Sequence, residues 1–579
     1  MFLTNYLYIF ICYLFSIVVF FILGRLFLKI INIQLSKNNI KFYECLIYGI
    51  FFWGILVFIL NFLFKINSFP SYLVLSIILI LSIPFIYYLK KIDFKILFIV
   101  VLLFFLFFQI EFGYDSGLYH LQHQNLIREE KIIFGISNIN KYLGHSSIIE
   151  YISALLWFLF PIYLINLQLI FLLVFILYFF ERRKEPLIFY ISVCLLITSS
   201  FWIRHIPLKI GHVDLSLGVM FVITFLTSIE ILFNKNLDAK NLFTKFTYFS
   251  IFTFMIKSSG VIILFNYICV FIFCLFNKNL RIRDLNFLYF PIFIGLLWLL
   301  KSVINTGCLV YPIYWTCFNL EWVTKDYIFE YWNIVNFWGK KTYSLLAPQL
   351  VSNISYLLIL VPILSLFFYS LFLLKKIKVF KNYFVLYFLL IISIFNLIFF
   401  YTGNFTHNLV NLSDVIREIA YLLFSIILLF IFLFFSFKAK ISFKFYNLFP
   451  IFFSIFSIII WLFSSPIPRL GYQFLIVFFI SISCFFYSSS NFLNKINRSF
   501  FLFYVIILFA KFFYINDFKK IIKFEIDKNI PEVIYQSRVD YGVRPEKGDQ
   551  CWIRVDCSSN TRNFLLYKEI FNYKFFVIN

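Results

Sequence analysis

Between Glu111 and Gln124 a predominantly apolar chain places Asp115, His120, His123 and Gln124 within about three helical turns. These residue types move protons. A carboxylate held at a membrane boundary is partly desolvated, which raises its basicity and suits it to take a proton from a hydroxyl. If 116–131 is an interfacial helix, His120, His123 and Gln124 share one face at i, i+3 and i+4. Asp115 would then stand at the membrane boundary where the helix starts, with His120 as its catalytic neighbour. Asp115 also has a structural reading, as the N-cap of that helix ahead of Ser116 and Gly117, and the two readings are compatible. His120 and His123 have the spacing of a metal pair, but no further ligand is in view. Glu111 reads as a boundary residue closing the preceding apolar run.

Further clusters could meet an anionic ligand. The stretch from Arg204 through His205, Lys209 and His212 to Asp214 gathers cationic and titratable groups where two apolar runs meet. It reads as a phosphate site or as side chains snorkelling to the headgroup level; His212 and Asp214 read equally as a mutual pair. Lys257 interrupts a long apolar run, and a lysine at membrane depth needs a polar cavity or a partner. Arg469, in the turn Pro466-Ile-Pro468-Arg469, suits bidentate phosphate contact or serves as an interfacial anchor. His145 and Glu150 flank the first polar loop as accessory candidates. Arg417 and Glu418 read as an internal pair.

The elements that must position these groups follow from composition. Of 579 residues, 63% are hydrophobic and 13% charged, against roughly 25% charged in soluble domains. The mean hydropathy is +0.93. The pattern predicts an all-α, polytopic membrane bundle. The net charge of +23 is accounted for by lysine and arginine collected in cytoplasmic loops, so nucleic acid is not implied. Apolar runs predict about sixteen helices by the length rule, near 6–28, 43–64, 70–89, 94–110, 148–180, 186–203, 213–233, 243–256, 260–276, 285–303, 350–374, 382–400, 416–437, 445–463, 470–487 and 499–515. The run 148–180 is too long for one straight span and predicts a break near Pro161. Tyr6 to Leu28 is long enough to span and remain.

The basic loops fall on one side if 243–276 is a hairpin that enters and returns. The other side then carries both termini, the loops 111–147 and 304–349, and all six histidines. On that side Cys551 and Cys557 close a short loop suited to a disulfide in an oxidising compartment, and Cys308 and Cys317 are a second candidate pair. No metal-type Cys-x-x-Cys pair and no internal repeat occur.

A spanning helix followed by an external loop that opens on an acidic residue resembles the GT-C class of integral-membrane glycosyltransferases. Local strings are similar to an uncharacterised family of large bacterial membrane proteins within or beside that class. They are Gly113-Tyr-Asp115-Ser-Gly-Leu-Tyr-His120-Leu-Gln122, Thr306-Gly-Cys308-Leu-Val-Tyr-Pro312 with Trp322, Pro466 to Arg469, and Gly548-Asp-Gln-Cys551-Trp552 with Cys557. The resemblance implies a polyprenyl-phosphate-linked sugar donor and a glycan, lipid or protein acceptor. It makes Asp115 the catalytic base, and Lys257 and Arg469 contacts to the lipid phosphate. The donor would arrive through membrane lipid, at the bacterial inner membrane, with both termini periplasmic. It implies three domains: accessory helices at 1–93, a core at 94–515 and a short external tail at 516–579. The chain departs from better-known members in three ways. It has extra N-terminal helices, one aspartate in place of a pair, and no large soluble C-terminal domain. No cofactor follows from the residues, and a divalent metal is left open. An O-antigen-type polymerase or ligase, and a transporter or flippase for a lipid-linked sugar, are the alternative readings.

Overall fold

A computed structural model describes residues 2–31, 40–91, 93–106, 112–156, 167–202, 208–233, 239–277, 282–344, 445–464, 468–486, 533–537, 542–558, 565–570 and 573–578. The architecture is mostly helical. Among the described residues six helices are long and apolar enough to cross a membrane: Leu7–Ile30, Phe42–Leu63, Phe69–Lys90, Asp214–Phe233, Ser258–Phe276 and Leu285–Thr306. The expected run 148–180 is described as two helices, Ile148–Leu156 and Gln168–Glu181, on either side of undescribed residues. The expected helices between 350 and 437, and that at 499–515, lie outside the described residues.

The chain divides into two compact units, one built from 1–181, 207–334 and 515–579, the other from 182–206 and 335–514. Helices Phe2–Ile30 and Phe42–Leu63 share the first unit with the described residues of the loop 111–147. In this unit helices Phe2–Ile30 and Phe42–Leu63 run antiparallel at close quarters. A Cβ on Gly24 would collide with the Cys45 carbonyl, and one on Gly49 with that of Phe20. Small residues of this kind let helix backbones approach each other in lipid. The start of Phe42–Leu63 is satisfied from another helix, because the backbone N–H groups of Phe42 and Tyr43 donate to Glu181 at 3.0 and 3.1 Å.

Ala239–Ile256 and Val261–Phe276 form a helical hairpin. The Thr247 hydroxyl donates to Tyr267 Oη, and Phe243 packs on Phe271, the reversed register of an antiparallel pair. The tip is Lys257, extended at φ −160° and ψ 151°, followed by the single turn Ser258–Gly260. Lys245 lies inside the first arm, buried against Glu44. A charge buried that far along an apolar helix needs such a partner.

Around the ends of these helices three separated segments pack together. The first is 112–147. The second, 307–334, contains a helix not expected from sequence, whose full extent is Lys325–Ser344. The third is the C-terminal tail. It supplies two antiparallel hairpins, Tyr535–Ser537 with Val543–Pro545 and Leu565–Ile570 with Tyr573–Ile578. The last strand docks on the first loop: Phe134 N–H donates to Lys574 O at 2.9 Å and Phe576 N–H to Phe134 O at 3.0 Å. The Trp322 ring meets both Phe134 and Phe575 edge-on, joining the second segment to the other two. Cys308 is bonded to Cys317 and Cys551 to Cys557.

In the second unit Pro186–Trp202, Phe445–Ser464 and Pro468–Phe486 are helical. The hydroxyl of Ser481 donates to the Pro450 carbonyl at 2.9 Å. That carbonyl lies in the helix carrying an internal proline, where the normal ladder is disturbed.

Candidate functional site

The first loop opens on a π-helical turn, Ser116–His120, which runs into helix Leu121–Glu129. Such turns are rare and often occur at functional sites. Here the turn follows Gly113, whose N–H donates to Ser116 Oγ at 2.9 Å, while Ser116 donates onward to the Ile210 carbonyl. The motif is thereby tied to the segment carrying Lys209 and His212. Glycine is required at two of these approaches. A Cβ on Gly113 would stand 2.8 Å from Lys209 Cδ and 3.0 Å from His212 Nε2. Gly211, at φ +83°, passes directly over the His120 side chain, and a positive φ of this size favours glycine.

The N-cap reading of Asp115 is corrected by this geometry. Its backbone is already helical, at φ −64° and ψ −23°, and its side chain makes no cap hydrogen bond. The carboxylate instead stands 3.9 Å from His212 Nε2. His212 Nδ1 lies 3.8 Å from Asp214 Oδ2, and Asp214 Oδ1 accepts from Lys257 Nζ. Four groups thus form a string of carboxylate, imidazole, carboxylate and ammonium. The inner members are closed to solvent, whereas the Asp115 and Lys257 side chains are 17% and 23% exposed. The ends of the string are therefore the parts a ligand can reach. Asp214, expected among the phosphate contacts, is the counter-ion of Lys257, because a carboxylate in that position repels an anion rather than holding it.

The helix 116–131 does not lie open at an interface as expected. His120, His123 and Gln124 are buried, because the tail covers the motif. Trp552 N–H donates to Gly117 O at 2.8 Å, and a Cβ on Gly117 would meet the Trp552 ring at 2.6 Å. The carboxamide of Gln122 donates to the carbonyls of Arg554 and Cys557, and that of Asn125 to Ile553 O. The tail also brings Asp549 to the motif, where it accepts from the Tyr114 hydroxyl at 2.6 Å. Burial and this bond push the Tyr114 phenol above its usual range.

Glu150 is the residue that sequence reasoning undervalued. His120 Nδ1 and His123 Nδ1 approach its two oxygens at 2.7 and 2.6 Å, and Ser147 N–H donates to it at 3.1 Å. Both imidazoles are thereby committed through Nδ1 to one carboxylate. Among the described residues no group of three or more His, Cys, Asp and Glu gathers as metal ligands would. The signal was available: a glutamate in the first turn of an apolar helix demands a buried partner, and His120 and His123 have the spacing to supply two. The two systems adjoin, since the His120 and His212 ring centroids are 5.6 Å apart.

His145 completes the wall, with Nε2 2.8 Å from Tyr331 Oη. Burial, and then the charge of Lys257, hold His145 down to about 3 despite opposing pulls from Glu150 and Asp115. Tyr331 comes from the unexpected helix, so this contact had no sequence signal. Asp115, His120, His123, His145, Lys209, His212, Asp214 and Lys257 are thus brought into one region. Arg469 stands in the first turn of Pro468–Phe486, in the other unit. Glu111, Arg204 and His205 lie outside the described residues.

Fold and site together define a mostly helical protein with a buried charge network at the ends of long apolar helices, roofed by its own loops and tail. The chain belongs to the family described as a domain of unknown function (DUF8201), whose profile matches residues 6–404. That stretch holds the whole string from Asp115 to Lys257, but not the tail. No curated protein and no solved structure matches the chain.

Proposed function

We propose that this chain is an integral-membrane glycosyltransferase of the GT-C type. It moves a sugar from a polyprenyl-phosphate donor to an acceptor hydroxyl on the external face of the bacterial inner membrane, with both termini on that face. The observation that carries the reading is the string Asp115, His212, Asp214, Lys257, which leaves a carboxylate accessible at one end and an ammonium at the other. Asp115 takes the proton of the acceptor hydroxyl as its oxygen bonds to the anomeric carbon. The bond from that carbon to the phosphate oxygen breaks on the opposite face, and its electron pair leaves with the lipid phosphate, so the anomeric configuration inverts. Charge builds on the phosphate in the transition state, and a preorganised cation there is the efficient means of stabilising it. Lys257 supplies that cation. His212 stands between the two carboxylates.

Binding of unglycosylated polyprenyl phosphate tests the anionic half of the site. It should raise the thermal unfolding midpoint of the purified protein, and Lys257→Gln should remove most of the rise. An equal rise in the variant would take Lys257 out of the site. A transporter of lipid-linked sugar is the competing reading, and one observation favours it. The buried Glu44–Lys245 pair sits about 18 Å along the hairpin arm from Lys257 at 1.5 Å per residue, so buried charge occurs at two depths. Uptake of labelled lipid-linked sugar into the opposite leaflet of sealed vesicles, undiminished by Asp115→Asn, would decide for the transporter.

A further inference from the structure

The segment after Thr306 carries aromatic residues that the site does not use. Cys308 and Cys317 are bonded and bring the two arms of a short hairpin together, with Leu309 N–H donating to Thr316 O at 3.1 Å. The hairpin turns Tyr314, Trp315 and Phe318 outward, and Trp315 is 65% exposed. Helix Lys325–Ser344 then presents Phe329 and Trp332 to the same patch: Tyr314 meets Phe329 at 4.9 Å between ring centroids, and Trp315 meets Trp332 at 5.3 Å. The neighbouring face of that helix, about 100° round at 3.6 residues per turn, buries Ile328 and Tyr331, and Tyr331 is the partner of His145. The outward aromatic patch and the site wall are therefore carried by adjacent faces of one helix.

What covers the patch follows from its continuity with the preceding helix. Leu285–Thr306 is apolar enough to cross a membrane, and along it Phe293, Leu296 and Leu300 are all exposed. Their spacing of three and four residues puts them on one face, the face a bilayer would cover. Two residues past Thr306 the disulfide-bonded hairpin begins, so Leu309, Tyr314, Trp315 and Phe318 lie where the apolar core of the bilayer gives way to headgroups. Trp and Tyr are the side chains enriched at that level, because their rings are apolar with one polar edge. Lys325, Asp326 and Asn333, charged or polar and exposed, border the patch on its own helix.

We propose that this disulfide-closed hairpin, with Phe329 and Trp332, is a membrane foot. It seats the Tyr331 face of the site at the lipid surface by burying Trp315 in the headgroup region of the leaflet on the site's side. The partner is phospholipid, and the foot fixes the height of the site above the bilayer. The inference requires only membrane insertion; it stands or falls independently of glycosyl transfer.

The test uses the full chain in nanodiscs of phosphatidylcholine and phosphatidylglycerol. The fluorescence contributed by Trp315 is obtained as the difference between the native protein and Trp315→Phe, and that of Trp332 likewise from Trp332→Phe. Both substitutions keep an aromatic ring, and an unchanged unfolding midpoint establishes that each variant is folded. The Trp315 difference should be lost when the lipid is brominated near the glycerol backbone and largely kept when it is brominated at the chain terminus. A Trp315 signal kept in both lipids would place the hairpin in water and overturn the proposal. A photo-reactive phenylalanine derivative in place of Trp315 should form lipid adducts. A cross-linked pair of chains instead would identify the partner as a second copy and equally overturn it.

Discussion

Glu150 engages two imidazoles and a backbone N–H with a single buried carboxylate. Removing one partner of such a group leaves the others uncompensated, at a cost of about 3–5 kcal/mol. Glu150→Ala should therefore lower the unfolding midpoint in detergent far more than Asp115→Asn, whose carboxylate is partly exposed. Differential scanning fluorimetry of the two variants side by side reads this. His145 carries a pH dependence. Its folded value of about 3 lies below the ordinary 6.5 of a histidine, so the unfolded chain takes up a proton that the folded chain refuses. The stability His145 contributes is intact above about pH 6.5 and declines as pH falls toward about 3. His145→Gln should flatten that part of the stability-versus-pH curve, against the background of the neighbouring charged groups Glu150, His120, Asp115 and Lys257. At this scale the sequence was informative about types but not about partners. Asp115, His120 and Lys257 stood out as polar residues in apolar surroundings. That Asp214 would neutralise Lys257, or that both histidines would share Glu150, depends on which helix ends meet, and local spacing does not contain that.

Elements are fixed here by close backbone approach. Gly117 lies under Trp552, so Gly117→Val should force the tail off the motif at a cost of about 1–3 kcal/mol of overpacking. Limited proteolysis after Arg544, Lys547 and Arg554 should then proceed sooner than in the native chain, while the Cys551–Cys557 bond stays intact. Gly49→Leu tests the helix pair in the same way. It should separate Phe2–Ile30 from Phe42–Leu63 and reduce the yield of monodisperse protein on size exclusion. Most helices within the described residues were legible as apolar runs, and the break at Lys257 with its hairpin was legible because the basic loops require a common side. Helix Lys325–Ser344 was not, since its apolar residues are interleaved with charges and fall in a loop by the length rule. Docking of the tail was also hidden. Its strands are short, and their pairing with Phe134 joins residues more than four hundred positions apart, where no periodicity reaches.

At the scale of the whole molecule, the apolar helices suggest membrane insertion, and one layer built from three distant segments closes over their ends. Three of the six histidines, His120, His123 and His145, lie in that layer, and His212 meets His120 from the residues just before helix Asp214–Phe233, while His205 and His407 lie outside the described residues. Acidic and basic groups buried at helix ends are costly in lipid unless a cavity or partner compensates them, which is the ground for siting the proposed reaction there. The proposed reaction and the proposed orientation of the termini put that layer on the outside of the membrane. A membrane-impermeant maleimide applied to intact cells should label a cysteine introduced at the exposed Lys547, and the same reagent should reach a cysteine at Lys184 only after the membrane is broken.

The most direct measurement is turnover by the purified protein in nanodiscs, with polyprenyl-phosphate hexoses and pentoses as donors and release of free polyprenyl phosphate followed by mass spectrometry. The native chain should consume one of these donors. Asp115→Asn, with an unchanged unfolding midpoint, should reduce release by about two to four orders of magnitude, the usual contribution of a general base. Release by Asp115→Asn at the native rate would contradict the central claim.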